Sequence, residues 1–133
     1  MLQGINHLTF SVSELDRSIE FYKNVFNAIL LLKGEKMAYF DLCGIWLALN
    51  VEKDIPRNEI YNSYSHISFS IDEKDYDVIL EKLKSLQVDI LEGRQRHSYE
   101  GKSVYFRDPD GHMFEFHTKT MEDRISYYES VKK

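Results

Sequence analysis

The sequence contains few of the residues that mark several classes of protein. Its 133 residues include one cysteine, two prolines and six glycines. The single cysteine, Cys43, excludes an intramolecular disulfide and a zinc site built from cysteines, and it is typical of a reducing compartment. Scarce glycine and proline argue against disorder and low complexity. We therefore expect a folded, cytoplasmic chain.

Long apolar runs and an excess of positive charge are also missing. No apolar run approaches the roughly 18 residues of a transmembrane helix, and the N-terminus enters a predicted strand at once, so we expect no signal peptide. The formal net charge of −5 argues against non-specific binding to nucleic acid or to an anionic membrane. A hydrophobic content of 43% is enough for one compact core.

Two short segments of the chain carry nearly the same pattern. His7–Val12 and His66–Ile71 each begin with a histidine and then alternate polar and apolar residues. Successive side chains of a strand point to opposite faces, so each histidine shares a polar face with the residues two and four positions later. Two histidines on matching strands suggest part of a metal site.

The segments after these two strands repeat as well. Helices are predicted over about residues 14–26, with Ser13 and Asp16 as a capping box, and over about residues 73–86. Three strands follow each helix, at residues 28–33, 36–42 and 45–51, and then at residues 88–91, 102–107 and 112–118. The order βαβββ occurs twice, which predicts an α+β fold of two tandem modules related by a pseudo-twofold axis.

The predicted organisation is therefore one domain with four parts. The first module covers about residues 1–51, a polar linker covers residues 52–63, the second module covers about residues 64–118, and a C-terminal helix covers residues 119–133. Thr120 and Asp123 predict a capping box at the start of that helix. Met121, Ile125 and Tyr128 are spaced as a packing face.

A metal-centred cavity follows if the two polar faces converge about the axis. Glu115 lies between two phenylalanines in the last strand, where an unpaired buried carboxylate would be costly. Together with His7 and His66 it makes a two-histidine, one-carboxylate set that leaves coordination positions open on a divalent ion. Ala48 occupies the matching position of the first module, which therefore provides no second carboxylate.

Other polar residues have alternative interpretations. His112 lies on the opposite face from Glu115 by parity and His117 lies at the strand end, so both rank below Glu115 as ligands. The basic segment around Arg94, together with Arg124, is either a solvated surface or a clamp for a phosphate-like anion. The residues alone favour neither interpretation.

Three segments resemble the vicinal oxygen chelate superfamily: Gly4–Phe10, Leu15–Tyr22, and Tyr105–His112 with Glu115. Within it the chain is most similar to the bacterial fosfomycin-resistance thiol transferases, of the bacillithiol-using metallothiol transferase type. The motif Asp-Pro-Asp-Gly-His is shared across the superfamily. A more specific set of residues consists of Thr9, Tyr39, Trp46, Asn50, Tyr105 and Arg124.

The resemblance implies a site and a reaction. His7, His66 and Glu115 would bind a divalent cation, Mg²⁺ or Mn²⁺ or another such ion, and a thiol, bacillithiol or L-cysteine, would open the epoxide of fosfomycin. The side chains implied to hold the phosphonate are Tyr64, Arg94, Tyr105 and Arg124. Thr9 would lie beside the epoxide, and Tyr39, Trp46 and Asn50 would shape the pocket. The family also implies a homodimer whose paired modules complete each other's sites.

Departures from the wider family narrow this expectation. The bulky, basic stretch Arg94–Lys102 argues against glutathione and a potassium site, and Gly44–Trp46 offers no carboxylate to activate water. The alternatives are a glyoxalase or a ring-cleaving dioxygenase on the same fold, or a drug-binding protein without catalysis. Ala48 weakens the glyoxalase alternative, because that chemistry generally takes a ligand from the last strand of each module.

Overall fold

The structure, a computed structural model, describes residues 1–93 and 97–131. The chain divides into two compact units. One comprises Met1–Ser63 with Asp108–His112, and the other comprises Tyr64–Arg107 with Met113–Lys133. The turn Asp108–His112 therefore belongs to the first unit, although its place in the sequence is in the second module. None of the described helices has the length and apolar character needed to cross a bilayer.

The first unit holds a four-stranded sheet, with one long helix and one short one. Its elements are β1 (His7–Val12), α1 (Leu15–Phe26), β2 (Ile29–Lys33), β3 (Met37–Leu42), β4 (Ile45–Val51) and α2 (Asn58–Asn62). The strand order is β1-β4-β3-β2, with β1 parallel to β4 and the other pairs antiparallel. Helix α1 packs on β2, β3 and β4. Its buried residues Leu15, Ile19, Tyr22 and Val25 recur at helical spacing, which gives the helix one apolar face.

The second unit repeats this arrangement. Its elements are β5 (His66–Ser70), a 3₁₀ turn (Glu73–Asp75), α3 (Tyr76–Ser85), β6 (Asp89–Leu91), a second 3₁₀ turn (Ser98–Glu100), β7 (Ser103–Arg107), β8 (Met113–His117) and α4 (Met121–Val131). The strand order β5-β8-β7-β6, with β5 parallel to β8, matches the first sheet. Buried Phe106 contacts Phe114 and Phe116, with ring centroids 5.8 and 4.9 Å apart. The two-module α+β prediction is confirmed.

Strand boundaries agree with the predictions to within one residue at each end. The predicted second helix begins as the 3₁₀ turn Glu73–Asp75 and continues as α3. The predicted linker contains the short helix α2, and Arg57, just before it, donates to the carbonyl oxygens of Ser11 and Glu52. A polar segment rich in side-chain donors is therefore fixed to β1 rather than extended.

The predicted capping box of α1 is wrong, because Ser13 has a different hydrogen-bond partner. Ser13 does not cap the helix through Asp16; its backbone N and its Oγ donate to the carboxylate of Asp110, at 3.0 and 2.6 Å. Asp110 is only 2% exposed and also pairs with Arg17 and Arg57. A buried carboxylate needs several donors, and this one takes the hydroxyl that the helix would otherwise use.

Asp108, two residues before Asp110, is also hydrogen-bonded to helix α1. Tyr22 Oη donates to Asp108 Oδ2 at 2.7 Å, and Asp108 Oδ1 accepts from the backbone N atoms of Asp110 and His112. Burial and the nearby Asp108 carboxylate raise the pKa of Tyr22 well above its ordinary value, so the hydroxyl keeps its proton. The turn also requires Gly111, whose φ of +98° suits glycine and whose missing Cβ leaves room for the Tyr61 ring.

Helix α4 begins as predicted but does not pack as predicted. Thr120 N donates to Asp123 Oδ2 and Asp123 N donates to Thr120 Oγ1, which is the expected capping box. The predicted packing face is exposed in this chain, with Met121, Ile125 and Tyr128 at 75%, 49% and 42%. Other residues attach the helix: Tyr128 Oη donates to Glu100 Oε2 at 3.2 Å, and the Tyr127 ring stacks on the His97 ring with centroids 5.5 Å apart.

Candidate metal centre and substrate face

The polar face of the first sheet carries five of the predicted site residues. Register places His7 beside Trp46, Thr9 beside Ala48, and Ser11 beside Asn50. Tyr39 lies across Ala48 on β3, and its ring meets the Trp46 ring edge-on at 5.3 Å. The residues that share this face are His7, Thr9, Tyr39, Trp46 and Asn50. Trp46 is 40% exposed, so the face presents a large aromatic surface to a ligand.

His7 is held so that one ring nitrogen is available. Its Nδ1 lies 2.7 Å from Asn6 Oδ1, and its ring lies 4.5 Å from the Trp46 ring, centroid to centroid. Because the amide oxygen only accepts, Nδ1 carries the proton and Nε2 keeps its lone pair. That is the tautomer in which imidazole binds a metal through Nε2.

The corresponding face of the second sheet carries Glu115. Its β8 register places it between Ser68 and Tyr105, as Ala48 lies between Thr9 and Tyr39. The alignment of Ala48 with Glu115 is therefore confirmed, and the first module provides no carboxylate at this position. A ligand set drawn equally from both last strands, as the glyoxalase alternative requires, is absent from these two positions.

Several donors keep the buried Glu115 carboxylate ionised. It is 6% exposed, and burial raises its pKa. Hydrogen bonds from Ser103, Tyr105 and Ser68 outweigh burial, and the pKa of Glu115 lies below its ordinary value. The residue is therefore an anion at neutral pH, as a metal ligand must be.

His66 faces this carboxylate with its Nε2 atom. Its Nδ1 lies 2.7 Å from the carbonyl oxygen of Tyr64, so Nδ1 carries the proton. Its Nε2 lies 3.2 Å from Glu115 Oε1. An imidazole lone pair and a carboxylate oxygen repel each other at this distance. The contact is therefore favourable only when a cation, either a proton or a metal ion, is bound to Nε2. The donor set, one imidazole nitrogen and one carboxylate oxygen, fits a divalent metal.

The predicted three-ligand set stays a prediction. Within residues 1–93 and 97–131, no three His, Cys, Asp or Glu side chains gather around a point that could hold a metal ion. His66 and Glu115 meet in the second unit, and His7 lies in the first. In each histidine Nδ1 lies within hydrogen-bonding distance of an oxygen, which is the arrangement in which an imidazole binds a metal through Nε2.

The four residues predicted to hold the phosphonate lie in different parts of the chain. Tyr64 Oη donates to Tyr105 Oη at 3.0 Å, next to Glu115. Arg124 Nη2, on α4, lies 3.3 Å from His117 Nε2. Arg94 lies outside the described residues.

Ser103 is not among the residues predicted from the sequence, and His117 is predicted only as an alternative ligand. Ser103 Oγ lies 2.5 Å from Glu115 Oε2 and 2.6 Å from His117 Nδ1. Parity alone could have placed His117 on the face of Glu115, two residues away. His112, by contrast, belongs to the first unit, where its Nε2 lies 2.8 Å from the carbonyl oxygen of Ser11.

Comparison with known proteins identifies the family. The sequence profile of the glyoxalase/bleomycin resistance protein/dioxygenase superfamily matches residues 4–116. The chain belongs to this superfamily. Among its relatives is the metallothiol transferase FosB of Lysinibacillus sphaericus, 60% identical over 98% of this chain and 93% of that protein. FosB of Bacillus licheniformis is 57% identical over 97% of this chain and 84% of that protein. The chain is therefore an enzyme, a transferase of the metallothiol type.

Solved structures support the same fold. The fosfomycin resistance protein FosX of Listeria monocytogenes, as a mutant complexed with Mn(II) and 1S,2S-dihydroxypropylphosphonic acid, has a TM-score of 0.85 and 31% identity. The match covers 95% of this chain and 99% of that one. FosX of Mesorhizobium loti has a TM-score of 0.79 and 37% identity, over 94% and 99% of the two chains. The vicinal oxygen chelate fold is confirmed.

Proposed function

We propose that this protein inactivates fosfomycin by adding a low-molecular-weight thiol to its epoxide ring. The observation that carries the proposal is the pair formed by His66 and Glu115, in which the imidazole Nε2 lies 3.2 Å from an ionised carboxylate oxygen. The similarity to metallothiol transferases gives this pair its reaction class. FosX, named as a fosfomycin resistance protein, gives the substrate.

The metal would be held by His7, His66 and Glu115. We take it to be Mn²⁺ or Mg²⁺, and the Mn(II) bound in FosX supports this choice. When bound, it supplies Lewis-acid stabilisation of the negative charge that develops on the epoxide oxygen. We also propose a homodimer whose paired modules complete each other's sites, as the resemblance to the family implies.

The other residues would bind and orient the substrate. Arg124, Arg94 and the hydroxyls of Tyr64 and Tyr105 hold the phosphonate, since guanidinium and phenol groups are suitable donors to a dianion. Thr9 lies beside the epoxide. Tyr39, Trp46 and Asn50 form the wall of the pocket that positions the reacting carbon and limits access of water. Cys43, exposed in the turn between β3 and β4, is not the attacking thiol.

Bacillithiol is the proposed thiol, and L-cysteine is the second choice. The bulky residues of Arg94–Lys102 argue against glutathione. We place the reaction in the cytoplasm, where such thiols are kept reduced.

Mass spectrometry of the product tests the proposal. Fosfomycin is incubated with the protein, Mn²⁺ or Mg²⁺, and bacillithiol, L-cysteine or glutathione in separate reactions. We expect a one-to-one adduct with bacillithiol, a slower one with L-cysteine and little with glutathione. A diol formed at the same rate without any thiol would assign water addition instead, and unchanged fosfomycin in every reaction would refute the proposed function.

A further inference from the structure

Ser103 and His117 form a direct cross-strand pair next to Glu115. The register of β7 and β8 places Ser103 opposite His117 and Tyr105 opposite Glu115. Ser103 Oγ lies within hydrogen-bonding distance of both Glu115 Oε2 and His117 Nδ1, and Arg124 Nη2 lies 3.3 Å from His117 Nε2. Four side chains therefore form one continuous line from a guanidinium to a carboxylate.

The chemistry of the groups fixes the direction of every hydrogen bond in this line. A guanidinium can only donate, so His117 Nε2 accepts from Arg124. With Nε2 as the acceptor, Nδ1 is the ring nitrogen that donates, and its partner is Ser103 Oγ. The single hydroxyl proton of Ser103 goes to Glu115 Oε2. All three bonds run the same way, from cation to anion, and such aligned bonds strengthen one another.

We propose that Ser103 and His117 are positioning residues that fix Glu115 and Arg124 relative to each other. The proposal rests on the proposed function, in which Glu115 binds the metal and Arg124 holds the phosphonate. With Oε2 taken by Ser103, the carboxylate turns Oε1 towards His66 Nε2. With Nη2 on His117, the guanidinium plane is set.

The environment of Arg124 supports an anion at the far end of this line. Its Nε is buried and has no hydrogen-bond partner among the residues that the structure describes. A buried donor is costly unless something accepts from it, and a substrate phosphonate is an acceptor of suitable charge. The line thus joins a metal ligand to a donor that lacks its acceptor.

Ser103 variants test the metal end of the line. Groups that orient a metal ligand typically contribute about 10–100-fold to metal affinity, so Ser103→Ala is expected to raise the Kd for Mn²⁺ by that factor. Ser103→Thr keeps the hydroxyl on a residue that suits a strand, and it is expected to restore most of the affinity. The Kd is read from the electron paramagnetic resonance signal of free Mn²⁺, without fosfomycin or thiol. Ser85→Ala, at the exposed end of α3 in the same unit, is the matched control.

His117 variants separate the two ends of the line. The amide of glutamine reaches the position of Nε2, so His117→Gln keeps an acceptor for Arg124 and loses the donor to Ser103. The amide of asparagine lies near Nδ1, so His117→Asn keeps that donor and loses the acceptor. We expect His117→Gln to weaken Mn²⁺ binding with a KM for fosfomycin close to wild type, and His117→Asn to raise the KM with Mn²⁺ binding close to wild type.

Several results would overturn the proposal. These are Mn²⁺ binding by Ser103→Ala within twofold of wild type, no recovery in Ser103→Thr, or equal effects of the two His117 variants on both constants. Unfolding temperatures close to wild type establish that each variant is folded. Because Mn²⁺ binding is measured without substrate, a wild-type protein that makes no adduct but shows the predicted Kd pattern would refute the proposed function and leave the positioning role supported.

Discussion

At the scale of single residues, Glu115 combines burial with charge. It is 6% exposed, yet hydrogen bonds from Ser103, Tyr105 and Ser68 hold its pKa below the ordinary carboxyl value against the opposing effect of burial. A carboxylate that is already desolvated and oriented loses little freedom when a cation binds. This preorganisation is the physical reason for expecting a tight divalent site.

Glu115→Gln should abolish metal binding without unfolding the protein. The amide has nearly the same shape and can still accept from Ser103, but it removes the negative charge. Loss of Mn²⁺ affinity should exceed the about 10–100-fold expected of a supporting group. Isothermal titration calorimetry measures it, with Glu122→Gln on α4 as the control. Wild-type Mn²⁺ affinity in Glu115→Gln would remove Glu115 from the ligand set.

The sequence could identify Glu115 but not Ser103. Alternation within one strand places Glu115 on a polar face, and the repeated histidine pattern provides two further candidate ligands. Ser103 contacts Glu115 only because β7 pairs with β8 in a particular register, which a serine at a strand start does not reveal. Alternation along β8 places His117 on the same face as Glu115. Its position at the strand end gives no indication that it contacts Ser103.

At the scale of elements, the turn Asp108–His112 is an anchor for α1 as well as a turn. Its proline and glycine predict the turn geometry, whereas the bonds from Tyr22 to Asp108 and from Ser13 to Asp110 join residues far apart in sequence. Local patterns predicted the helix and the turn. The capping prediction failed because a distant carboxylate competes for the same serine.

Removing the Tyr22 hydroxyl should destabilise the protein. Tyr22→Phe deprives the buried Asp108 carboxylate of one donor, and the expected cost is about 1–3 kcal/mol in the free energy of unfolding. Urea denaturation measures this change. Tyr127→Phe, which removes a hydroxyl from the partly exposed helix α4, is the matched control. An unchanged unfolding midpoint in Tyr22→Phe would show that water or another donor replaces the phenol.

The start of helix α4 should depend on pH in a defined direction. The backbone N–H of Thr120 and its hydroxyl lower the pKa of Asp123. A carboxylate with a lowered pKa in the folded state stabilises the cap above its ordinary pKa, and this contribution is lost as the pH falls through the folded value. The Thr120 amide shift in NMR titrations should report a midpoint below 3.8. A midpoint at or above that value would contradict the cap.

At the scale of the whole molecule, the repeated βαβββ order predicted the fold because each module forms its own four-stranded sheet with the same strand order. Periodicity within a chain carries no comparable information about assembly. The exposed apolar residues of α4, predicted to pack, show this limit. Periodicity also cannot show whether His7 meets His66 and Glu115, so the three-ligand set remains a prediction.

Subunit mixing tests whether paired copies share a site. His7→Ala and Glu115→Gln are expected to be inactive separately. If each site takes His7 and Glu115 from different copies, mixed dimers regain one intact site, and random exchange gives about a quarter of wild-type activity. Adduct formation after unfolding and refolding the two variants together measures it. No recovery from a mixture shown to contain heterodimers would place both residues of a site in one copy.

The metal dependence of thiol addition to fosfomycin shows whether His66 and Glu115 belong to a catalytic metal site. The rate of bacillithiol adduct formation is measured for the wild-type protein as purified, after exhaustive chelation, and after Mn²⁺ is restored. The predicted result is loss of the adduct on chelation and full recovery with Mn²⁺, with no recovery in Glu115→Gln. Adduct formation at an undiminished rate by the chelated protein would show that the reaction does not depend on a metal ion.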